Sequence, residues 1–170
     1  MITIGNVELQ QPTVMAPMAG ITDVPFRRLV KEAGCGLVCT EMVSANGLVY
    51  DSEETFRYLQ HTEAERPVSI QIFGRDPAVM ADAAAIVSAN GADIVDINFG
   101  CSVKKILKNG AGAALMQNMA EAEKLLQTVR AAISVPLTIK MRTGWDFSGE
   151  DAVRLAQTAE AAGGGAGCLP

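Results

Sequence analysis

Short apolar runs alternate with longer amphipathic segments along the whole chain of 170 residues. Runs of apolar and β-branched residues that end at glycine, proline or charged positions predict β-strands. The predicted strands are Thr13–Met18, Gly36–Val43, Pro67–Gly74, Asp93–Gly100 and Pro136–Arg142. Ahead of them, the stretch Ile2–Leu9 has Gly5-Asn6 in its middle and predicts a small hairpin.

Amphipathic segments follow these strands and predict helices. In the first of them, the Val24-Pro25 start and the apolar spacing that follows indicate a helix with one apolar face. The predicted helices are Asp23–Ala33, Asp76–Asn90, Glu121–Ile133 and Gly149–Ala162. Strands that alternate with helices of this length form βαβ units, so the pattern predicts an α/β protein with a parallel sheet.

Two architectures fit this alternation, an open doubly wound sheet and a (β/α)8 barrel. No G-x-G-x-x-G follows the first predicted strand, which weakens the dinucleotide-binding form of the open sheet. In a barrel, chemistry gathers at the C-terminal ends of the strands. Those ends carry Pro17 to Gly20, Glu41, Gln71, Asn98 to Cys101, and Lys140 with Arg142. Polar or glycine-rich groups at successive strand ends favour the TIM (β/α)8 barrel.

A complete barrel takes roughly 250 residues, so the pattern predicts a barrel truncated to about its first five βα units. We assign residues 1–162 to the N-terminal part of that barrel. Residues 163–170 form an atypical glycine-rich tail at the truncation, where four glycines and one proline make a poor strand.

Composition narrows the class of protein further. The chain lacks an apolar run of the roughly 18 residues that a membrane helix needs, and its N-terminus lacks a charged signal-peptide start. We therefore expect a cytoplasmic protein that does not associate with a membrane. The four cysteines form no CxxC and the one histidine, His61, lies in a polar stretch, so we expect no metal site.

The net charge of −5 does not favour a nucleic-acid partner, but the charges are unevenly distributed. No acidic residue lies between Asp96 and Glu121, whereas Lys104, Lys105 and Lys108 cluster there. Cys101 follows Gly100 just beyond a predicted strand, at the start of the same long connection. An arbitrary cysteine is often a small buried hydrophobe and lysines often cover a solvated face, but long loops at this end of a barrel are usually functional.

Five motifs occur together in this order: Ala16 to Arg27, Gln71 to Gly74, Asp96 to Cys101, Gly110 to Leu115, and Lys140 to Trp145. In order and spacing they resemble the tRNA-dihydrouridine synthases, and most closely the bacterial B-type subfamily. The resemblance covers roughly residues 1 to 162. It implies a flavin enzyme in which NADPH reduces FMN and the flavin passes hydride to C6 of a tRNA uridine.

Carried over residue by residue, the resemblance implies that Cys101 is the proton donor to C5 of the uracil ring. It implies that the backbone of Pro17, Met18 and Ala19 lines the flavin. Gln71 and Lys140 are then expected to hydrogen-bond the flavin ring. The residues expected to contact substrate or tRNA are Asn98, Lys104, Lys105, Lys108 and Arg142, although Arg142 has an equal claim to be the ion-pair partner of a carboxylate.

The sequence departs from the family pattern at two places. Ser102 stands where the family usually has a proline after the catalytic cysteine, and a glycine-rich tail replaces a strand that ends in a histidine-containing motif. Two alternatives therefore stay open. One is another FMN barrel oxidoreductase of the dihydroorotate-dehydrogenase type, and the other is a truncated half-barrel without catalysis. We expect these 170 residues alone to bind FMN weakly and to catalyse little.

Overall fold

The computed structural model describes residues 2–146, 149–164 and 166–168, the last three by their backbone. The strands are β1 Ile2–Ile4, β2 Val7–Leu9, β3 Val14–Met15, β4 Leu37–Cys39, β5 Val43–Ser44, β6 Val68–Phe73, β7 Ile94–Phe99, β8 Leu137–Met141 and β9 Ala166–Cys168. The α-helices are α1 Val24–Glu32, α2 Ala45–Val49, α3 Glu53–Arg57, α4 Pro77–Ala89, α5 Lys104–Lys108, α6 Met119–Ala132 and α7 Glu150–Ala161. Two 3-10 segments, Glu63–Glu65 and Gly112–Gln117, lie between them.

The larger sheet is parallel and has the strand order β3-β4-β6-β7-β8-β9, with the short β5 paired on β6. It curls into a half-barrel, which confirms the predicted α/β class and the parallel sheet. Consecutive strands pair through crossover connections, as parallel pairing requires.

The two faces of this sheet differ because side chains alternate along a strand. On β7, the side chains of Val95, Ile97 and Phe99 belong to the apolar core, where α4 and α6 pack against the sheet. The alternate positions, Asp96 and Asn98, carry buried polar side chains on the concave face. Apolar burial against the helices therefore fixes the strand register, and the register places the polar positions together on the other face.

The N-terminal hairpin covers one end of the sheet. Strands β1 and β2 pair antiparallel around the turn at Gly5-Asn6, as the sequence predicts. Leu9 packs with Leu37 and Ile94, and a Cβ added at Gly5 would lie 2.8 Å from Cγ of Pro136. These contacts are at the N-terminal ends of β4, β7 and β8, so the C-terminal ends of the strands remain open for a site.

The main helices begin and end within two residues of the predicted positions. Asp23 and Asp76 are N-caps whose carboxylates accept backbone N–H groups of the first turn, from Phe26 and from Ala78 and Val79. Such caps stabilise a helix start by about 0.5–2 kcal/mol. A proline in the first turn of α1 and of α4 marks the same boundary.

The structure differs from the sequence prediction in three places. The single strand predicted over residues 36–43 is divided into β4 and β5, because the chain leaves the sheet at Thr40, whose hydroxyl donates to the carbonyl of Glu41. The connection that carries the lysines is folded into α5 and a 3-10 segment. Helices α2 and α3 were not predicted at all, although Ser44 and Ser52 cap them.

The glycine-rich tail is not the poor strand that its composition predicts. Residues Ala166–Cys168 form β9, which pairs in parallel with β8 over Thr138↔Ala166 to Lys140↔Cys168. Main-chain groups make the hydrogen bonds of this pairing. The free edge of β8 therefore supports a strand even though glycine-rich residues have a low β-propensity. Residues 165, 169 and 170 of the tail lie outside the described residues, and the division at residue 162 stays a prediction.

Candidate active site

Polar side chains of three neighbouring strands meet on the concave face of the half-barrel. The register pairs Gln71 of β6 with Asp96 of β7, and Asn98 of β7 with Lys140 of β8. Next to them is a cavity of about 240 Å³. Its lining residues are Ile4, Val14, Ala16, Pro17, Leu37, Cys39, Ser69, Asp96, Thr138 and Lys140. The structure therefore brings Gln71, Asn98 and Lys140, which lie far apart in sequence, into one site.

Asp96 is the centre of a buried hydrogen-bond cluster. Its Oδ2 accepts from Nε2 of Gln71 at 2.6 Å, and its Oδ1 accepts from Oγ1 of Thr138 at 2.6 Å. Oε1 of Gln71 in turn accepts from Nδ2 of Asn98 at 2.9 Å. All four side chains are buried, and every buried side-chain nitrogen or oxygen among the described residues has a partner. Such a satisfied buried network holds its members in one arrangement.

The network continues from Asn98 to Cys101. Oδ1 of Asn98 accepts from the backbone N of Gly100 at 3.2 Å and from that of Cys101 at 2.9 Å. The carbonyl oxygen of Cys101 accepts from the backbone N of Ala113 at 3.0 Å. Cys101 is half-buried and not in a disulfide. Its backbone is thus fixed from both sides while the residue as a whole stays partly exposed at the end of β7.

Burial raises the pKa of Asp96 to about 6 from an ordinary 3.8. The hydrogen bonds from Gln71 and Thr138 oppose that rise, as does the positive charge of Lys140. A carboxylate that stays ionised at neutral pH inside the sheet needs such donors. Sequence reasoning included Asp96 in a motif but gave it no role, although an acidic residue within the apolar strand Ile94–Phe99 was the available signal.

The predicted cofactor residues occupy three environments. Pro17 and Lys140 line the cavity, and the Lys140 ammonium group makes no hydrogen bond or ion pair with the part of the chain that the structure describes. Gln71 is buried, and its amide oxygen and one amide N–H are already engaged by protein groups. Met18 and Ala19 are exposed and do not line the cavity.

The loop that carries Met18 and Ala19 is nevertheless well anchored. The buried hydroxyl of Thr22 accepts from the backbone N of Met18 and donates to its carbonyl oxygen, both at 3.2 Å. The backbone N of Gly20 donates to Oε1 of Glu41, at the end of β4. Glu41, which the sequence predicted to lie at a strand end, therefore fixes the loop of the neighbouring strand.

The lysine cluster lies on α5, which begins three residues after Cys101. Lys104, Lys105 and Lys108 are exposed, and no ion pair among residues 2–146 and 149–164 involves them. Arg142 is also exposed, and its Cγ lies 3.4 Å from where a Cβ of Gly100 would be. Since no described carboxylate pairs with Arg142, its guanidinium group remains available to a ligand.

The described residues offer neither a metal site nor a membrane-spanning helix. Within them, no three His, Cys, Asp or Glu side chains come close enough together to bind a metal ion. Every described helix is too short or too polar to cross a lipid bilayer.

Comparison with known proteins places this geometry in context. A profile of the family described as Dihydrouridine synthase (Dus) matches residues 14–166. The chain is 46% identical over 164 residues to a probable tRNA-dihydrouridine synthase of Rhodobacter capsulatus. The matched residues make up 95% of this chain and 50% of that protein. It is 43% identical over 160 residues to tRNA-dihydrouridine synthase B of Vibrio parahaemolyticus, covering 94% of this chain and 50% of that protein. The chain thus spans about half the length of these relatives.

Two solved structures resemble the fold. A crystal structure of 2,3-dimethylmalate lyase matches with a TM-score of 0.58 at 15% identity, over 92% of this chain and 56% of that one. A truncated 3-deoxy-D-arabino-heptulosonate 7-phosphate synthase from Thermotoga maritima matches with a TM-score of 0.53 at 20% identity, over 99% of this chain and 55% of that one. At such identities the likeness shows the fold alone. The family profile and the curated relatives show more: this chain belongs to the dihydrouridine synthase family, in its bacterial B-type subfamily.

Proposed function

We propose that this chain is the half of a tRNA-dihydrouridine synthase that carries the proton donor, and that the complete enzyme reduces the 5,6 double bond of a tRNA uridine. One observation carries the proposal. The backbone of Cys101 is held at the end of β7 by Asn98 and by Ala113, and the residue is partly exposed. Membership of the family supplies the reaction class. Since its substrate is a tRNA, we infer that the enzyme is cytoplasmic.

The residues on the concave face fit the FMN cofactor that the family resemblance implies. Lys140 lines the cavity, and its ammonium group makes no hydrogen bond or ion pair with a described residue. Ala16 and Pro17 add small side chains that let backbone approach a flat ring. When bound and reduced by NADPH, FMN supplies the hydride for C6 of the uracil ring. Lys140 would stabilise negative charge on the flavin, and Gln71 has one amide N–H left to donate. The backbone of Met18 and Ala19 would line the ring, as the family resemblance implies.

Cys101 completes the reduction by adding a proton. The thiol Sγ–H gives its proton to C5 while C6 receives hydride, so the double bond becomes a single bond and a thiolate remains. Cysteine is one of the side chains that can act as a general acid when it is positioned against the reacting carbon. Asn98 accepts from Gly100 and Cys101 with its oxygen and donates to Oε1 of Gln71 and to Sδ of Met42, so it positions Cys101, and a contact with the uracil would replace the long bond to Met42.

The surface around Cys101 suits a polyanionic substrate. A uridine must leave its stack to reach the end of the barrel, so phosphates of the same strand come near α5. Lys104, Lys105 and Lys108 are exposed there without acidic partners among the described residues. Arg142 lies against Gly100, the residue before Cys101, and we assign it to contact with the nucleotide itself. This basic surface favours tRNA over a small pyrimidine.

The test is Cys101→Ala in a complete enzyme that contains this chain. We expect NADPH to reduce the flavin at a near-normal rate while dihydrouridine formation in tRNA falls by about a hundredfold or more, since general acid catalysis contributes about that much. Cys35→Ala is the matched control, because Cys35 is also half-buried but its Sγ contacts the carbonyl oxygens of Thr13 and Leu37.

Three outcomes would contradict the proposal. Near-normal dihydrouridine yield with Cys101→Ala would remove the cysteine from the reaction. Reduction of a free pyrimidine such as orotate, without tRNA, would favour the other class of FMN barrel enzyme. A complete wild-type enzyme that takes up no flavin and forms no dihydrouridine would favour the alternative without catalysis.

A further inference from the structure

One continuous chain of hydrogen bonds joins the buried carboxylate of Asp96 to the backbone of Cys101. It runs from Asp96 to the amide of Gln71, then to the amide of Asn98, and then to the N–H groups of Gly100 and Cys101. We call this chain of hydrogen bonds the relay. We propose that Asp96 is a positioning residue, which sets the direction in which the groups of the relay donate and thereby the position of Cys101. The role of Cys101 as proton donor is taken from the proposed function.

The direction of the relay follows from its two ends. A backbone N–H can only donate, so Asn98 must turn its oxygen toward Cys101 and its nitrogen toward Gln71. Gln71 must then present its oxygen to Asn98 and its nitrogen to position 96. An ionised carboxylate can only accept, so Asp96 matches the last donor. Each amide therefore has one orientation that satisfies both of its neighbours.

Burial makes a reversed amide costly. Asp96, Gln71 and Asn98 are all buried, so water does not replace a lost partner. A buried donor that faces a donor, or an acceptor that faces an acceptor, costs about 1–3 kcal/mol and more when a charge is involved. A single mismatch would therefore be relieved by movement of Asn98, and the Gly100-Cys101 turn that it holds would move as well.

The relay can be reversed on purpose, and this provides the test. Asn98→Asp still accepts from Gly100 and Cys101, but it leaves Gln71 between two carboxylates, with its amide oxygen facing one of them. Adding Asp96→Asn lets position 96 donate to the oxygen of Gln71, whose nitrogen then donates to the new carboxylate at position 98. The double variant therefore restores complementary pairs throughout, with the two bonds of Gln71 reversed and those from Gly100 and Cys101 unchanged, and it keeps the number of carboxylates unchanged.

The experiment compares wild-type, Asp96→Asn, Asn98→Asp and the double variant in a complete enzyme, with flavin reduction and dihydrouridine formation measured separately. We expect Asn98→Asp to slow dihydrouridine formation by about tenfold or more, the size of one mismatched charged hydrogen bond. We expect the double variant to recover most of that loss. Asp93→Asn is the matched control, because Asp93 precedes β7 and binds Arg66 and the backbone N of Val68. It should not rescue Asn98→Asp.

Failure of the relay is distinguishable from failure of the proposed function. If Asp96→Asn does not rescue Asn98→Asp, or if Asp93→Asn rescues it equally, then Asp96 does not set the direction of the relay. Either result is compatible with the proposed function, in which the wild-type enzyme depends on Cys101. If the wild-type enzyme forms no dihydrouridine, or forms it without Cys101, the proposed function itself is wrong.

Discussion

Gly112 lies directly against the backbone of Cys101. A Cβ added at Gly112 would be 2.7 Å from the carbonyl oxygen of Cys101 and 3.2 Å from its Cβ, and Gly112 has a positive φ of 64°. Backbone of the 3-10 segment Gly112–Gln117 therefore reaches the candidate proton donor only because residue 112 lacks a side chain. Ala113, the next residue, donates to that same carbonyl oxygen at 3.0 Å.

Gly112→Ala should therefore displace the Cys101 turn. We expect the variant to lose about 1–2 kcal/mol of stability from the left-handed backbone alone, and more from the overlap with Cys101. Dihydrouridine formation should fall more than flavin reduction. Gly34→Ala is the control, because Gly34 also has a positive φ, of 93°, but has open space where its Cβ would be. Equal losses of dihydrouridine formation in both variants would show that backbone strain, not contact with Cys101, is responsible.

Lys104→Glu combined with Lys105→Glu should weaken tRNA binding without changing flavin content. Each lost phosphate contact should reduce the slope of log affinity against log salt concentration by about one. Titrations of tRNA at several salt concentrations give that slope. Lys124→Glu with Arg154→Glu makes the same change of charge on the exposed faces of α6 and α7. If that pair flattens the slope as much, net charge and not the α5 surface controls binding.

The raised pKa of Asp96 predicts a specific dependence of stability on pH. Since the folded state holds the proton up to about pH 6 and the unfolded state only to about 3.8, the folded state binds more protons between these values. The contribution of Asp96 to the free energy of unfolding should therefore be most favourable below pH 4 and should fall through about pH 6, by on the order of 3 kcal/mol. Urea unfolding of wild-type and Asp96→Asn proteins across pH 4 to 7 isolates this effect, because other carboxylates cancel. A difference that does not change with pH would contradict it.

The buried ion pair between Arg27 and Glu65 should be important for stability. Nε of Arg27 lies 2.7 Å from Oε2 of Glu65, and the two side chains are 3% and 0% exposed. Arg27 also donates to the carbonyl oxygens of Thr22 and Gln60, so it joins the Met18–Thr22 loop to the chain before β6. Glu65→Gln leaves the guanidinium charge buried without its counter-charge.

We expect Glu65→Gln to lower the free energy of unfolding by about 3–5 kcal/mol, the usual cost of breaking a buried pair. Glu63→Gln is the matched control, because Glu63 pairs with Arg66 but is 88% exposed, and exposed pairs contribute about 0–1 kcal/mol. Chemical denaturation measures both. A similar small loss for the two variants would show that the hydrogen bonds of Arg27, and not the charge of Glu65, hold the loop.

The positions of most elements could be predicted because their signals are local. Asp23 and Asp76 mark helix starts by accepting N–H groups of their own first turns, and the prolines beside them have backbone angles suited to a helix. The apolar run Ile94–Phe99 likewise forms a strand whichever neighbours it pairs with. The resemblance to a known family added roles for Cys101 and Lys140, which no local signal provides.

The arrangement of the site depended on contacts between segments far apart in sequence. The sequence by itself determined which residues are available at the ends of the strands, including Gln71, Asn98 and Cys101. Only the parallel register aligned Gln71 with Asp96 and Asn98 with Lys140, because that register is set by packing of the opposite face on α4 and α6. The burial that raises the pKa of Asp96, and the strand edge on which the glycine-rich tail forms β9, likewise exist only once these segments are assembled.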